Sequence, residues 1–114
     1  MREPLRDKNR LEHIIQAIEK IEEYTKDITK EQLVADPMRL HATTYNVQIV
    51  GEATYKLTPE FKKSHSEVQW NLIEKMRHIL VHDYYQINKN VLWQVITEDL
   101  PALKIQVNDY LKEM

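Results

Sequence analysis

The chain predicts an all-α fold: an antiparallel bundle of four main helices with short helices between them. Three observations carry this expectation. Apolar residues recur at three- and four-residue spacing through long stretches. Only one glycine, Gly51, occurs in 114 residues, too few for a sheet built on tight hairpins. Two of the four prolines, Pro37 and Pro59, follow capping residues where helices would start.

The elements follow in order. A first helix is expected from about Asp7 to Tyr24, with Leu11, Ile14, Ile15, Ile18 and Ile21 as its apolar stripe. Glu12, Glu19, Lys20, Glu22 and Glu23 lie largely off that stripe, as a solvated face. Thr29-Lys30-Glu31-Gln32 has the form of a capping box and opens a short helix to Ala35. Asp36-Pro37 is a second start signal, and its helix should run to about Lys56, with Leu40, Val47, Val50, Thr54 and Leu57 inward. Gly51 lies within that helix, where glycine costs ~1 kcal/mol relative to alanine. Close approach of another helix backbone would account for it.

Thr58-Pro59 starts a short turn of helix over Glu60 to Lys63, and Lys62 to Ser66 is expected as polar loop. A fourth main helix covers about Gln69 to Val81, with Trp70, Ile73, Met76, Leu80 and Val81 buried, and His82 to Ile87 as an exit segment. Asn88 caps the last helix. Leu92, Val95, Ile96, Leu100, Leu103, Val107 and Leu111 keep phase across Pro101, which argues for one long helix kinked there. Two helices, the second capped by Asp99, are the alternative. Neither repeat nor linker is evident, so residues 1–114 are expected as a single domain.

Composition narrows the function. Hydrophobic residues make up 42% and charged residues 30%, against disorder and against a membrane protein. No apolar run approaches the ~20 residues of a spanning helix. Met1 to Lys8 carries charges and no apolar stretch, unlike a signal peptide. Cysteine is absent, which removes disulfides and thiolate metal sites and fits a cytoplasmic location. A net charge of -2 gives no bulk electrostatic footprint for nucleic acid, so RNA would have to meet a local basic site, an assembled cleft or a partner.

One stretch differs from the rest: Met76-Arg77-His78-Ile79-Leu80-Val81-His82-Asp83-Tyr84-Tyr85. Arginine, histidine and tyrosine are interleaved there with an apolar face that the core needs. On a continuous α-helix Arg77 and Tyr84 would lie within ~20° of each other, with His82 about 140° from Arg77. The three cannot converge on one face. Either the helix loosens near Val81 or two copies of the motif meet across a symmetric interface, as in a homodimer. Chemically, an arginine beside a histidine suits RNA cleavage without a metal. Histidine can take the proton of a ribose 2′-hydroxyl, and arginine can hold the phosphate and stabilise its developing charge. A solvated or core-satisfied Arg-His pair at a helix end is the plainer explanation from spacing alone.

Arg77-x4-His82-x-Tyr84 resembles the Arg-x4-His-x-Tyr motif of HepT toxins, a branch of the HEPN superfamily. Asn9-Arg10-Leu11-Glu12-His13-Ile14 is similar to the opening of that family, and Ile49-Val50-Gly51-Glu52-Ala53 to its middle-helix signature. Trp70-x2-Ile73-x2-Met76-Arg77 and Val91-x-Trp93-x5-Asp99-Leu100-Pro101 match in order and spacing. The resemblance implies a dimeric antiparallel bundle whose two motifs face a shared cleft. It implies a metal-independent endoribonuclease without cofactors, the toxin of a type VII-like toxin–antitoxin pair, acting on mRNA or tRNA. Arg77 and His82 would be catalytic. An MntA-type nucleotidyltransferase antitoxin would silence the enzyme by transferring AMP to Tyr84, with Tyr85 as the neighbouring alternative. This chain departs from the family at His78, where an asparagine is usual. His78 is therefore an auxiliary candidate, as proton donor or phosphate contact.

Other functions fit the same residues less well. His78 and His82 have a spacing compatible with two metal ligands, with Asp83 adjacent and Glu52 a conceivable third, but no convincing set completes them. Trp70 and Trp93 fall on or beside apolar stripes and suit core packing better than nucleotide stacking. Lys62, Lys63 and Lys89 are too sparse for an RNA groove. The alternative of a different class is a non-catalytic nucleotide- or partner-binding subunit of a nucleotidyltransferase complex.

Overall fold

Helix α3, Pro37–Tyr55, runs through the middle of the molecule because almost every side of it is apolar or small. Leu40, Val47, Val50, Gly51 and Ala53 are all buried, and so are Thr43, Thr44, Asn46 and Thr54. Buried polar groups need partners. The Thr44 hydroxyl donates to the Leu40 carbonyl and the Asn46 amide to that of Ala42, both one turn back along the helix. The computed structural model describes residues 3–78 and 88–114, all of them in helices, turns and connections without a strand.

Helix α1, Glu3–Thr25, lies along α3 and also meets the C-terminal helix. It begins earlier than expected. Pro4 falls in the first turn, where a missing N–H leaves no hydrogen bond unmade. Leu11, Ile14, Ile18 and Ile21 are buried as the stripe requires, while Ile15 is only partly buried against the core. Two contacts fix the antiparallel pairing. Arg6 Nε donates to the Lys56 carbonyl at 3.1 Å. Asp7, 5% exposed, accepts from Thr58 through both carboxylate oxygens: Oδ1 from the backbone N–H at 2.8 Å and Oδ2 from the hydroxyl at 2.7 Å.

Short helix α2, Lys30–Val34, carries the expected capping box. Thr29 Oγ1 accepts from the Gln32 N–H, and the Gln32 side chain accepts from the Thr29 N–H. Asp36 caps α3 by accepting from the Arg39 N–H, with Pro37 just inside the helix. Helix α4, Pro59–Ser64, follows the turn expected over Glu60 to Lys63 and runs one residue further, to Ser64, into the stretch also expected as polar loop. The Ser64 hydroxyl donates to the Glu60 carbonyl, and Lys62 Nζ is paired with Glu74 at 3.2 Å, so these polar residues have partners inside a helix.

The fourth main helix is the largest departure. Helix α5 covers only Trp70–Glu74, and the chain then tightens into a 3₁₀ turn, Lys75–His78. The helix type therefore changes already at Lys75, while Val81, where loosening was one of the two alternatives, lies outside the described residues. The physical setting of the change is the contact with α3 at Gly51, described below. Residues 79–81 of the expected helix and the exit segment 82–87 lie outside the described residues.

Asn88 caps the last segment by accepting from the Val91 N–H. Helix α6, Lys89–Gln94, passes through a π turn, Val95–Asp99, into α7, Leu100–Lys112. The backbone stays helical throughout, and Asp99 makes no side-chain cap, so one continuous helix describes it better than two. The Leu100 N–H reaches back to the Val95 carbonyl, a five-residue step that widens the turn just before Pro101. A widened turn relieves the clash and lost hydrogen bond that proline brings. Leu92, Val95, Ile96, Leu100, Leu103 and Val107 are buried, and Leu111 is partly buried. Among the described residues no helix is long and apolar enough to cross a membrane.

Candidate active site

Arg77 stands where two features of α3 receive it. The first acts on its backbone. A methyl group on Gly51 would lie 2.9 Å from Arg77 Cα and 2.8 Å from the Met76 carbonyl carbon, and closer still to the Arg77 nitrogen. Only a residue without Cβ permits that approach. The close contact expected of Gly51 is therefore present, and the segment it admits is the one that carries Arg77.

The second feature acts on the side chain. The guanidinium carbon of Arg77 sits 3.5 Å from the centroid of the Tyr55 ring, a stacked cation–π contact. Arg77 Nε also donates to His78 Nε2 at 3.2 Å. A ring nitrogen that accepts has a free lone pair, so this contact uses the neutral imidazole with its proton on Nδ1. Among the described residues the terminal nitrogens of Arg77 make no hydrogen bond. They form a fork of N–H donors of the kind that binds carboxylate or phosphate in a bidentate way.

The 3₁₀ turn changes the expected geometry. The ~20° and 140° offsets assume α-helical steps from Arg77 onward, and at Arg77 the steps are not α-helical. Angular spacing therefore no longer argues for two copies of the motif, and that expectation rests on the resemblance. His82, Asp83, Tyr84 and Tyr85 lie outside the described residues. His78 is exposed next to Arg77, and Glu52 is half-buried on α3. No three His, Asp or Glu side chains among the described residues are grouped as metal ligands.

The neighbouring packing holds α5 in place. Trp70 is buried, and its indole N–H donates to the His65 carbonyl at 2.9 Å, so it serves the core as expected. Trp93 is partly buried against the same core. His65 Nδ1 donates to the Phe61 carbonyl, and its ring stacks on Phe61 at 4.0 Å with the edge of Tyr110 at 4.4 Å. Tyr110 in turn donates to Glu67 at 2.6 Å, tying the connection before α5 to α7. A cleft of 470 Å³ opens between α5 and the last helix, lined by Leu72, Met76, His78, Val91, Val95 and Glu98 among others. Arg77 is not part of that lining. The cleft is mainly apolar, and the carboxyls of Glu67, Glu98 and Asp99 in its lining outnumber the one lysine, Lys75, a poor setting for a phosphate.

Tyr55 is the residue that sequence reasoning missed. Its signal was present but weak: an aromatic residue four positions after the lone glycine, outside the apolar stripe of α3.

Comparison with known proteins places this geometry in a family. A family model described as ribonuclease HepT-like matches residues 14–110. The chain belongs to the HepT-like ribonuclease family. It is 38% identical over 103 residues to a candidate RNase of Caldanaerobacter subterraneus subsp. tengcongensis, covering 90% of this chain and 92% of that protein. It is also 38% identical over 97 residues to a Thermococcus cleftensis protein named probable ribonuclease HepT, covering 85% of this chain and 88% of that one. A further relative, a candidate RNase of Methanocaldococcus jannaschii, is 30% identical over 94 residues, 82% of this chain and 86% of that protein. No solved structure matches the chain. The all-α architecture is that expected of a HepT-like member.

Proposed function

We propose that this HepT-like chain is a metal-independent endoribonuclease, the toxin of a toxin–antitoxin pair, in which Arg77 and His82 carry the chemistry. One observation supports it above the others. In a chain of a ribonuclease family, Arg77 is held on Tyr55 with its terminal N–H donors unengaged among the described residues. Such a fork suits a phosphodiester.

His82 takes the proton of a ribose 2′-hydroxyl, and the 2′-oxygen attacks the adjacent phosphorus. The P–O5′ bond breaks, and the 5′-oxygen leaves with a proton from the acid form of a histidine. The products are a 2′,3′-cyclic phosphate and a 5′-hydroxyl. Arg77 holds the non-bridging oxygens as negative charge builds on them. Two protomers share the cleft on this proposal, and a partner nucleotidyltransferase regulates it. The Tyr84 phenol oxygen attacks the α-phosphorus of ATP, pyrophosphate leaves, and the phenol proton passes to solvent. The added AMP brings a negative charge that competes for Arg77.

Cleavage of defined RNA by Arg77→Ala and His82→Ala proteins tests the assignment. Each variant should lose cleavage with its helical content intact. Cleavage that survives in both would remove these residues from the mechanism. A wild-type protein that binds the partner nucleotidyltransferase but cuts no RNA would favour the non-catalytic subunit instead.

A further inference from the structure

One turn of α3 engages a single residue of the opposing segment twice. Gly51 and Tyr55 are four apart, so they lie about 40° from each other on the same helical face, ~6 Å along the axis. Gly51 admits the backbone of Arg77. Tyr55 meets its guanidinium, 3.5 Å from the ring centroid. An extended arginine side chain spans about that one-turn step. The two contacts thus fix both ends of Arg77, its Cα and its charged head.

The manner of the second contact matters. Stacking occupies the face of the guanidinium and leaves its in-plane donors available. Of these, Nε is directed at His78, 3.2 Å away. The plane of the terminal fork is therefore set by Tyr55, and its rotation within that plane by His78. Tyr55 is 50% exposed, so its ring adds little to the core and can be changed without opening a cavity.

We infer that Tyr55 is a positioning residue for the proposed phosphate-binding arginine: its ring face holds the guanidinium of Arg77 flat and aims the terminal fork. The inference rests on the reading of Arg77 as the phosphate ligand. The ring, and not the hydroxyl, is the working part, so Phe should replace it and an aliphatic side chain should not.

The experiment compares wild type, Tyr55→Phe, Tyr55→Leu and Arg77→Ala in steady-state RNA cleavage, with the Arg77 side-chain resonances recorded by NMR. In wild type, ring current should move the Arg77 Cδ protons upfield. Tyr55→Leu should abolish that displacement and lower kcat about tenfold, with KM changed less than about threefold and Tm nearly unchanged. Tyr55→Phe should restore both the displacement and kcat to within about threefold. If Arg77→Ala abolishes cleavage while Tyr55→Leu keeps full kcat, the positioning role is overturned and the arginine's role stands. If Arg77→Ala keeps full cleavage, both fall together. Absence of the upfield displacement in wild type would overturn the contact itself, whatever the kinetics.

Discussion

The backbone of Arg77 lies against Gly51 with no room for a methyl group between them. This relationship decides a question that helix propensity would answer the other way. Alanine is better than glycine in a helix interior by ~1 kcal/mol. Forcing a carbon into a filled contact costs about 1–3 kcal/mol, and here the obstructing atoms are backbone, which yields least and puts the cost at the upper end, about 2–3 kcal/mol. Gly51→Ala should therefore lower stability by about 1–2 kcal/mol in chemical denaturation. It should also displace the 3₁₀ turn Lys75–His78 and reduce RNA cleavage. A more stable Gly51→Ala protein would mean that the two segments are not in contact.

Asp7 supports the same end of α3 from α1. Its carboxylate satisfies the Thr58 N–H and hydroxyl, and the hydroxyl oxygen in turn accepts from the Phe61 N–H to cap α4. Asp7→Ala would leave two buried donors without their acceptor, at about 2–3 kcal/mol in denaturant unfolding. Asp7→Asn should lose less, because an amide oxygen still accepts from the backbone N–H and its NH₂ can donate to the hydroxyl oxygen. Equal losses in the two variants would show that charge, not hydrogen bonding, is what matters there.

The Tyr110–Glu67 contact should be sensitive at both ends of the pH scale. The Tyr110 hydrogen bond holds the Glu67 carboxyl below its ordinary value of 4.5. A depressed carboxyl stabilises the fold above that value and loses its contribution as pH falls through the lower folded-state value. Burial, followed by the hydrogen bond and charge of Glu67, raises the Tyr110 phenol above its ordinary 10.0. That contribution is complete below pH 10 and is lost as pH rises through the folded-state value. NMR titration of the Glu67 side-chain carboxyl checks the acid limb. In Tyr110→Phe its midpoint should rise toward 4.5, and an unchanged midpoint would assign the shift to another group.

Thr43 offers a stabilising substitution. It is fully buried on α3, and its hydroxyl oxygen has no hydrogen-bond partner among the described residues. Valine has nearly the same shape without the polar group, so Thr43→Val should be neutral or stabilise by up to about 1 kcal/mol. Thermal unfolding at neutral pH measures this. A fall in Tm would indicate a partner for the hydroxyl in solution.

Helix starts were the most legible part of this fold. Thr29, Asp36, Thr58 and Asn88 each cap the helix expected of them, because a cap is a local bond between residues three apart. Apolar phase across Pro101 also carried through, although the relief came as a π turn and not at the proline alone. The change to 3₁₀ geometry at Lys75 was not legible. It accompanies a contact between Gly51 and Arg77, 26 positions apart in the chain, and local periodicity does not report such contacts. At the candidate site, Arg77 and His78 could be named from residue type and family resemblance. Tyr55 could not, since its role appears only when α3 and the 3₁₀ turn are brought together.

RNA cleavage by side chains alone leaves its record in the ends of the RNA products. Purified protein should be freed of metal with excess chelator, incubated with a defined RNA, and the fragments analysed by mass. Cleavage should be undiminished by the chelator, with 2′,3′-cyclic phosphate and 5′-hydroxyl ends. Cleavage abolished by the chelator and restored by a divalent cation, or 3′-hydroxyl and 5′-phosphate ends, would contradict cleavage by side chains alone.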